Sequence, residues 1–247
     1  MSQTLLVTSY NTELYHRYAH RFMDSYQGEL DLAIASEDTL PTLDRVLALK
    51  MTAHKNFVKM NSWREITSFK QDAVRFCYKP YAIWTAMDYV RTSEDHNYTG
   101  LLWIDADTVF HKPITEEFVK AKLHTDGVMT YMSRPNYHSE TGVLYFNLLN
   151  PKTRDYIERV IELYNTNEIY DLAQTHDSYV WDWVRTRMQT TRQGRPRTQP
   201  VEFRDIGIAD KVPGGHIQSV LFGEYWDHLK GKRKQQGYSE ENKYARR

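Results

Sequence analysis

The run Leu101-Leu102-Trp103-Ile104-Asp105-Ala106-Asp107 constrains this chain more than any other segment. Four apolar residues in a row describe a buried strand, and charge appears only where such a strand leaves its sheet. In open α/β sheets the carboxyl edge is where ligands bind. Two carboxylates one residue apart repel each other unless a cation lies between them. Oxygen ligands of this kind favour Mg²⁺ or Mn²⁺, and such an ion can bridge two phosphates. The plain alternative is a solvated turn, because Asp-x-Asp on its own is common.

The elements around this run read as alternating strand and helix. Residues 4–8 (TLLVT) and 31–36 (DLAIAS) are apolar enough for buried strands, with a tyrosine-rich helix expected over 12–27 between them. That order describes a βαβ unit and a parallel sheet. A helix is expected over 42–60, and another beginning at Pro80, with Ile83, Met87 and Val90 on one face. Thr115 is placed to cap a short helix. Residues 127–132 and 142–148 read as strands. Asn150 and Pro151 open an amphipathic helix, a further helix covers 176–189, and residues 192–200 read as a loop. The tail beyond residue 235 is polar and reads as disordered.

Composition removes some functions. The chain has 32 basic and 32 acidic residues, so no bulk binding of nucleic acid is expected. Charge is nevertheless uneven, with six arginines in 185–204 and Lys230, Lys232, Arg233 and Lys234 close together, which suits a phosphate-bearing ligand. Cys77 is the single cysteine, so no intrachain disulfide forms. The first residues do not read as a signal peptide, and no segment approaches the roughly 20 apolar residues of a membrane span. The expectation is a cytoplasmic protein without a transmembrane segment. There is no Gly-x-Gly-x-x-Gly, Walker loop, cysteine metal knuckle or nucleophile elbow.

A second motif lies near the C-terminus. In His228-Leu229-Lys230-Gly231-Lys232-Arg233-Lys234, an imidazole can be a third metal ligand, Gly231 lets backbone approach a phosphate, and Lys234 supplies positive charge. Alone it reads as a basic surface segment; beside Asp105 and Asp107 it reads as part of a site.

With these residues the chain resembles the GT-A class of nucleotide-sugar glycosyltransferases, particularly glycosyltransferase family 8 and its relatives. The likeness rests on the apolar strand ending in Asp105-x-Asp107, on His228-x-x-Gly231-x-x-Lys234, and on their order along residues 4–234. It implies an α/β, Rossmann-like GT-A domain over 1–235, with a mainly parallel central sheet flanked by helices. A nucleotide-binding half would span about 1–110 and an acceptor half about 111–235, followed by the polar tail 236–247. It also implies a metal-dependent, retaining transfer of sugar from a nucleotide diphosphate donor, expected as a UDP-sugar, to an acceptor hydroxyl, with Mn²⁺ or Mg²⁺ as cofactor. Asp105, Asp107 and His228 would hold the metal, with Asp105 also near the ribose. Gly231 and Lys234 would face the diphosphate. Thr8, Tyr10 and Asn11 would line the nucleotide pocket, with Tyr10 either stacking on the base or simply packing, and Asp38 would touch base or ribose.

The same resemblance places a basic residue, Arg75 or Lys79, before the central strand and facing the donor sugar; each also reads as a solvated charge. Glu140, in His138-Ser139-Glu140-Thr141-Gly142, would bind a sugar hydroxyl or act as a base. Asp177 resembles an acidic residue that contacts the donor sugar, with a helix cap as the alternative. The family often carries Gln after that Asp, where this chain has Ser178, so no nucleophile is named.

Two other readings stay open. Asp105-x-Asp107-x-Val109 also fits the first motif of haloacid dehalogenase-type phosphohydrolases, in which Asp105 would attack phosphorus. That motif usually lies near the N-terminus, and here about a hundred residues precede it. The third reading is a non-catalytic nucleotide- or sugar-binding module.

Overall fold

Both faces of the central sheet are covered, as its apolar strands require. A computed structural model describes residues 3–38, 46–93, 97–191, 193–196, 198–208 and 216–245. Among these, β1 (Thr4–Thr8), β2 (Asp31–Ser36), β3 (Val46–Lys50), β4 (Gly100–Ile104), β6 (Met129–Arg134), β7 (Tyr137–Asn147) and β8 (Arg204–Asp205) form one sheet in the order β3-β2-β1-β4-β7-β6-β8. β7 runs antiparallel to both of its neighbours, and the other pairings are parallel. A separate antiparallel pair joins β5 (Thr108–Phe110) to β9 (Trp226–His228).

Alternate residues of each strand feed two apolar layers. Leu5, Val7, Leu101, Trp103, Leu144 and Phe146 face a layer containing α4 (Ala73–Thr92), α6 (Pro151–Asn165) and α7 (Asp177–Gln189). Leu6, Leu102, Ile104, Val143 and Tyr145 face the opposite layer, with α2 (His20–Ser25), α5 (Glu116–Lys122) and α8 (Ile217–Phe222). Burying each such large side chain contributes about 1.5–3 kcal/mol, so a one-residue slip of β4 would exchange the two layers and is strongly disfavoured.

The expected helices over 151–165 and 177–189 form, and Asn150 caps the first by accepting from the Lys152 N–H at 2.9 Å. Thr115 caps α5 through Phe118 N at 3.1 Å. The segment after β1 is helical but not uniform: α1 (Thr12–Leu14), a π-helical turn at Tyr15–Ala19, and α2 follow one another.

Three expectations are corrected. The helix over 42–60 is instead β3 followed by α3 (His54–Asn61), while residues 39–45 lie outside the described residues. The free edge of β2 needs backbone partners, and Val46–Lys50 supplies them in parallel register. Second, Pro80 does not start a helix; it is buried inside α4. Its missing N–H costs one helical hydrogen bond, while the Asp72 cap and the buried Cys77, Tyr81 and Ile83 hold both sides of the break. Third, the polar tail packs against the body of the domain: Ser239 and Asn242 are buried. Asp227 Oδ2 accepts from the Ser239 N–H at 2.5 Å, and Asn242 Nδ2 donates to the Trp226 carbonyl at 3.2 Å.

Among the described residues no helix is long and apolar enough to cross a membrane.

Candidate active site at the carboxyl end of the parallel strands

The carboxyl ends of β1 and β4 open on a cleft of about 620 Å³. Asp105 and Asp107 stand at its floor, immediately beyond β4, and β5 begins at the next residue. Thr108 of β5 is paired with His228 of β9, and the Leu229 N–H donates to the Asp107 carbonyl at 2.8 Å. This two-stranded pairing is what brings a histidine from the far end of the chain to the two carboxylates. Its Nε2 lies 2.9 Å from Asp107 Oδ1 and 3.5 Å from Asp105 Oδ2.

The donor set fits a divalent cation. One ligand atom from each of Asp105, Asp107 and His228 falls within 4.8 Å of the others. His228 is buried, and its Nε2 makes no hydrogen bond among the described residues despite the short approach to Asp107. Two carboxylate oxygens and an imidazole nitrogen suit Mn²⁺ or Mg²⁺ better than a soft metal.

Behind His228, Gln218 of α8 sets the ring. Its Oε1 accepts from Trp226 Nε1 at 3.0 Å, which turns its Nε2 toward His228 Nδ1 at 2.6 Å. The Trp226 N–H can only donate, so Nδ1 accepts and the ring proton sits on Nε2. Were Nε2 to serve as a metal ligand, Gln218 would be the neighbour that sets the ring's orientation from behind.

Lys79 occupies the centre of the charge pattern. Its Nζ contacts Asp105 Oδ1 at 2.8 Å and Asp177 Oδ2 at 2.6 Å, and donates to the Thr141 carbonyl at 2.9 Å. Burial works to lower its pKa, but Asp105 and Asp177 outweigh that and raise it, so the ammonium stays charged. Because α4 continues through Pro80, Arg75 and Lys79 lie one turn apart on the same face, and both line the cleft. Trp103 Nε1 donates to Asp105 Oδ1 at 2.7 Å, so that oxygen is held from two sides.

Lys234 sits on the short α9 (Arg233–Gln236), with Nζ 2.8 Å from Asp107 Oδ2 and 4.3 Å from the centre of the Tyr18 ring. Burial would raise the Asp107 carboxyl, but His228 and Lys234 hold it well below the usual carboxylate range. Gly231 turns the chain between β9 and α9 at φ 60°, a conformation that favours glycine, and it does not line the cleft.

Asn11 lines the cleft and caps α1, its Oδ1 accepting from the Leu14 N–H at 2.9 Å. Tyr10 reaches the cleft but is only 3% exposed, packed in the second apolar layer with its ring 5.6 Å from that of Tyr15. Its packing role is therefore the one visible. Thr8 is fully buried and does not line the cleft, where Ser9 appears instead. The alternation of β1 turns the Thr8 side chain inward. Asp38 is likewise outside the lining; its Oδ2 accepts from the Thr12 N–H at 2.7 Å and ties β2 to α1.

The two residues expected to carry acid–base chemistry are both enclosed. Asp177 lines the cleft, yet Oδ2 accepts from Thr141 Oγ1 at 2.8 Å beside the Lys79 contact, and Oδ1 accepts from the Ser178 N–H at 2.8 Å. The cap of α7 is His176, not Asp177. Burial would raise the Asp177 carboxyl, but Lys79 and these hydrogen bonds lower it. Glu140 is fully buried behind the cleft and does not line it. Lys230 grips both its oxygens at 2.7 and 2.8 Å, Arg134 Nη1 lies 3.2 Å away and His216 Nε2 3.0 Å. Against the cost of burial, Lys230 and His216 hold its pKa well below the usual range. A carboxylate so caged has its oxygens turned to its own basic neighbours and away from the cleft.

Several contributors had no signal in the sequence. Gln218 and His216 belong to no motif, and Arg17 and Tyr18 line the cleft from the π-helical turn. Lys230 lies inside the basic run but meets Glu140 only through the fold.

No protein-family model matches the sequence, and no curated protein matches it. Among solved structures, the chain is similar to a glycosyltransferase involved in the glycosylation of the major capsid of PBCV-1, at 11% identity and a TM-score of 0.49, over 94% of this chain and 98% of that one. It is also similar to the galactosyltransferase LgtC in complex with donor and acceptor sugar analogs, at 11% identity and a TM-score of 0.46, over 89% of this chain and 92% of that one. A third similar structure is the glycosyltransferase GlyE of Streptococcus pneumoniae TIGR4, at 10% identity and a TM-score of 0.43, over 83% of this chain and 46% of that one.

Proposed function

We propose that this chain is a metal-dependent glycosyltransferase that moves a sugar from a nucleotide diphosphate donor, a UDP-sugar, to an acceptor hydroxyl with retention. The observation that carries the reading is the convergence of Asp105, Asp107 and His228 at the carboxyl end of β4, in a cleft that also presents Lys234, Arg75 and Arg17. Asp105, Asp107 and His228 would hold Mn²⁺ or Mg²⁺, which when bound supplies Lewis-acid neutralisation of the leaving diphosphate. Lys234 and the two arginines supply fixed positive charge where that diphosphate would lie. Lys79 bridges Asp105 and Asp177 and would hold Asp177 beside the donor sugar.

In the transfer, the bond from the anomeric carbon to the diphosphate oxygen breaks and one to the acceptor oxygen forms. The acceptor proton passes to the departing phosphate. Retention is supported by the state of both candidate bases: inversion needs a carboxylate free to take the acceptor proton, Glu140 does not line the cleft, and Asp177 is already held by Lys79, Thr141 and Ser178.

The test is a thermal-shift screen of nucleotide diphosphates and nucleotide sugars with and without Mn²⁺. Binding to the folded state raises Tm by mass action. A UDP shift that requires Mn²⁺ and disappears in Asp107→Ala is expected. An Asp107→Ala protein that responds like the parent refutes the metal assignment. Metal-dependent release of phosphate from p-nitrophenyl phosphate, with a phosphorylated Asp105, would establish the phosphohydrolase reading instead.

A further inference from the structure

A ribbon of aromatic rings leads from the sugar end of the cleft to the surface, and neither the metal nor the phosphate end uses it. Phe76 lines the cleft one residue from Arg75. Its ring lies 6.1 Å from that of His176, which precedes Asp177. The His176 ring is 6.4 Å from Phe69 and 5.4 Å from His138, and His138 is 5.0 Å from Tyr179. Phe69 is 61% exposed, and the other four rings are partly exposed.

These rings are fixed before anything binds. Phe69 stands in the 3-10 turn Phe69–Gln71. That turn is tied to the 173–175 segment by Gln71 Nε2 donating to the Ala173 carbonyl at 2.9 Å and by Thr175 N–H donating to the Lys70 carbonyl at 2.8 Å. His176 accepts from the Tyr179 N–H at 3.4 Å through Nδ1, and its Nε2 meets Gln174 Oε1 at 2.8 Å. His138 is placed by Asp182, whose Oδ2 lies 3.7 Å from Nδ1. A surface ordered in advance loses little entropy on binding.

The chemistry of the ribbon alternates. Ring faces are interleaved with imidazole nitrogens, the Gln174 amide and the Tyr179 hydroxyl. A lipid chain asks for an uninterrupted apolar groove, whereas a pyranose presents an apolar C–H face edged by hydroxyls. We propose that this ribbon is the acceptor subsite and that the acceptor is a carbohydrate, packed along Phe69, His176 and Phe76 with one hydroxyl directed into the cleft. The assignment rests on the glycosyltransferase reading above, because it takes the cleft to hold the donor.

An array of defined oligosaccharides probed with the full chain tests it, alongside the Mn²⁺-dependent UDP shift measured on the same proteins. The parent is expected to bind a subset of glycans, and Phe69→Ala to weaken that binding up to about tenfold, the scale of one aromatic contact. Phe69 is exposed, so its removal leaves folding intact. His176→Asn, which keeps a helix-capping side chain, is expected to weaken glycan binding while the UDP shift stays at the parental value. A parent that binds no glycan, or a Phe69→Ala protein that binds them as the parent does, overturns the subsite. Absence of the UDP shift in a parent that still binds glycans refutes the donor reading and, with it, the acceptor role, leaving a carbohydrate-binding surface only.

Discussion

Gly142→Ala is the most revealing single change. A Cβ at position 142 would lie 2.4 Å from His228 Cε1 and 2.4 Å from Gln218 Nε2. Ordinary carbon contacts are about 3.5–4.0 Å, so one or both side chains must give way by roughly 1 Å. Neither has room, since His228 is 1% and Gln218 0% exposed. Nor can the backbone retreat easily, because the Gly142 carbonyl accepts from the Asp105 N–H at 2.9 Å. Overpacking of this kind costs about 1–3 kcal/mol. At about 2–4 °C per kcal/mol for a chain of this size, Tm falls by roughly 2–12 °C. On the proposed metal site, the displaced imidazole is also expected to weaken Mn²⁺ binding by about 10–100-fold, the usual consequence of disturbing a ligand's support. Differential scanning fluorimetry gives the first quantity, and the electron paramagnetic resonance signal of free Mn²⁺ gives the second. A Gly142→Ala protein with parental Tm and parental Mn²⁺ affinity refutes the claim that this glycine makes space for the histidine.

Lys79→Met leaves the Asp105 and Asp177 carboxylates without their shared cation and is expected to cost about 3–5 kcal/mol at neutral pH, measured by urea unfolding. The Asp177 carboxyl is depressed in the folded parent, so its contribution is complete above the ordinary value of 3.8 and is lost as pH falls through the lower folded value. Melting temperatures of the metal-free proteins from neutral pH down through that range should therefore fall more steeply for the parent than for Lys79→Met, and parallel curves would count against the pair. Trp103→Phe keeps an aromatic ring in the core but removes the donor to Asp105. It is expected to cost about 1.5–3 kcal/mol in urea unfolding, and an unchanged midpoint would show that this bond adds nothing.

The sheet centre and the carboxylates at its edge were legible because their signals are local. Leu101–Ile104 is apolar on both faces and carries its carboxylates at one end, and β1 and β2 read the same way. β3 was not legible, since Val46–Lys50 becomes a strand through the unmet edge of β2 and not through its own pattern. Pro80 misled for a related reason: a proline reads as a helix start until tertiary packing on both sides of it is known. Glu140 showed its residue type in the sequence but not its partners. Lys230 and His216 are far along the chain, and only the fold turns an apparent base into a caged anion. Gln218 left no trace at all, because one amide oriented by one indole has no spacing to recognise.

The β5–β9 pairing has a consequence for how the protein comes into being. The two carboxylates emerge from the ribosome more than a hundred residues ahead of the imidazole. By then the central strands and most of the helices that cover them have already been synthesised. The nascent chain can thus lay down its main sheet before the proposed cation site is complete. Full cation affinity would arrive only when β9 docks, making it a marker that the final segment has taken its place.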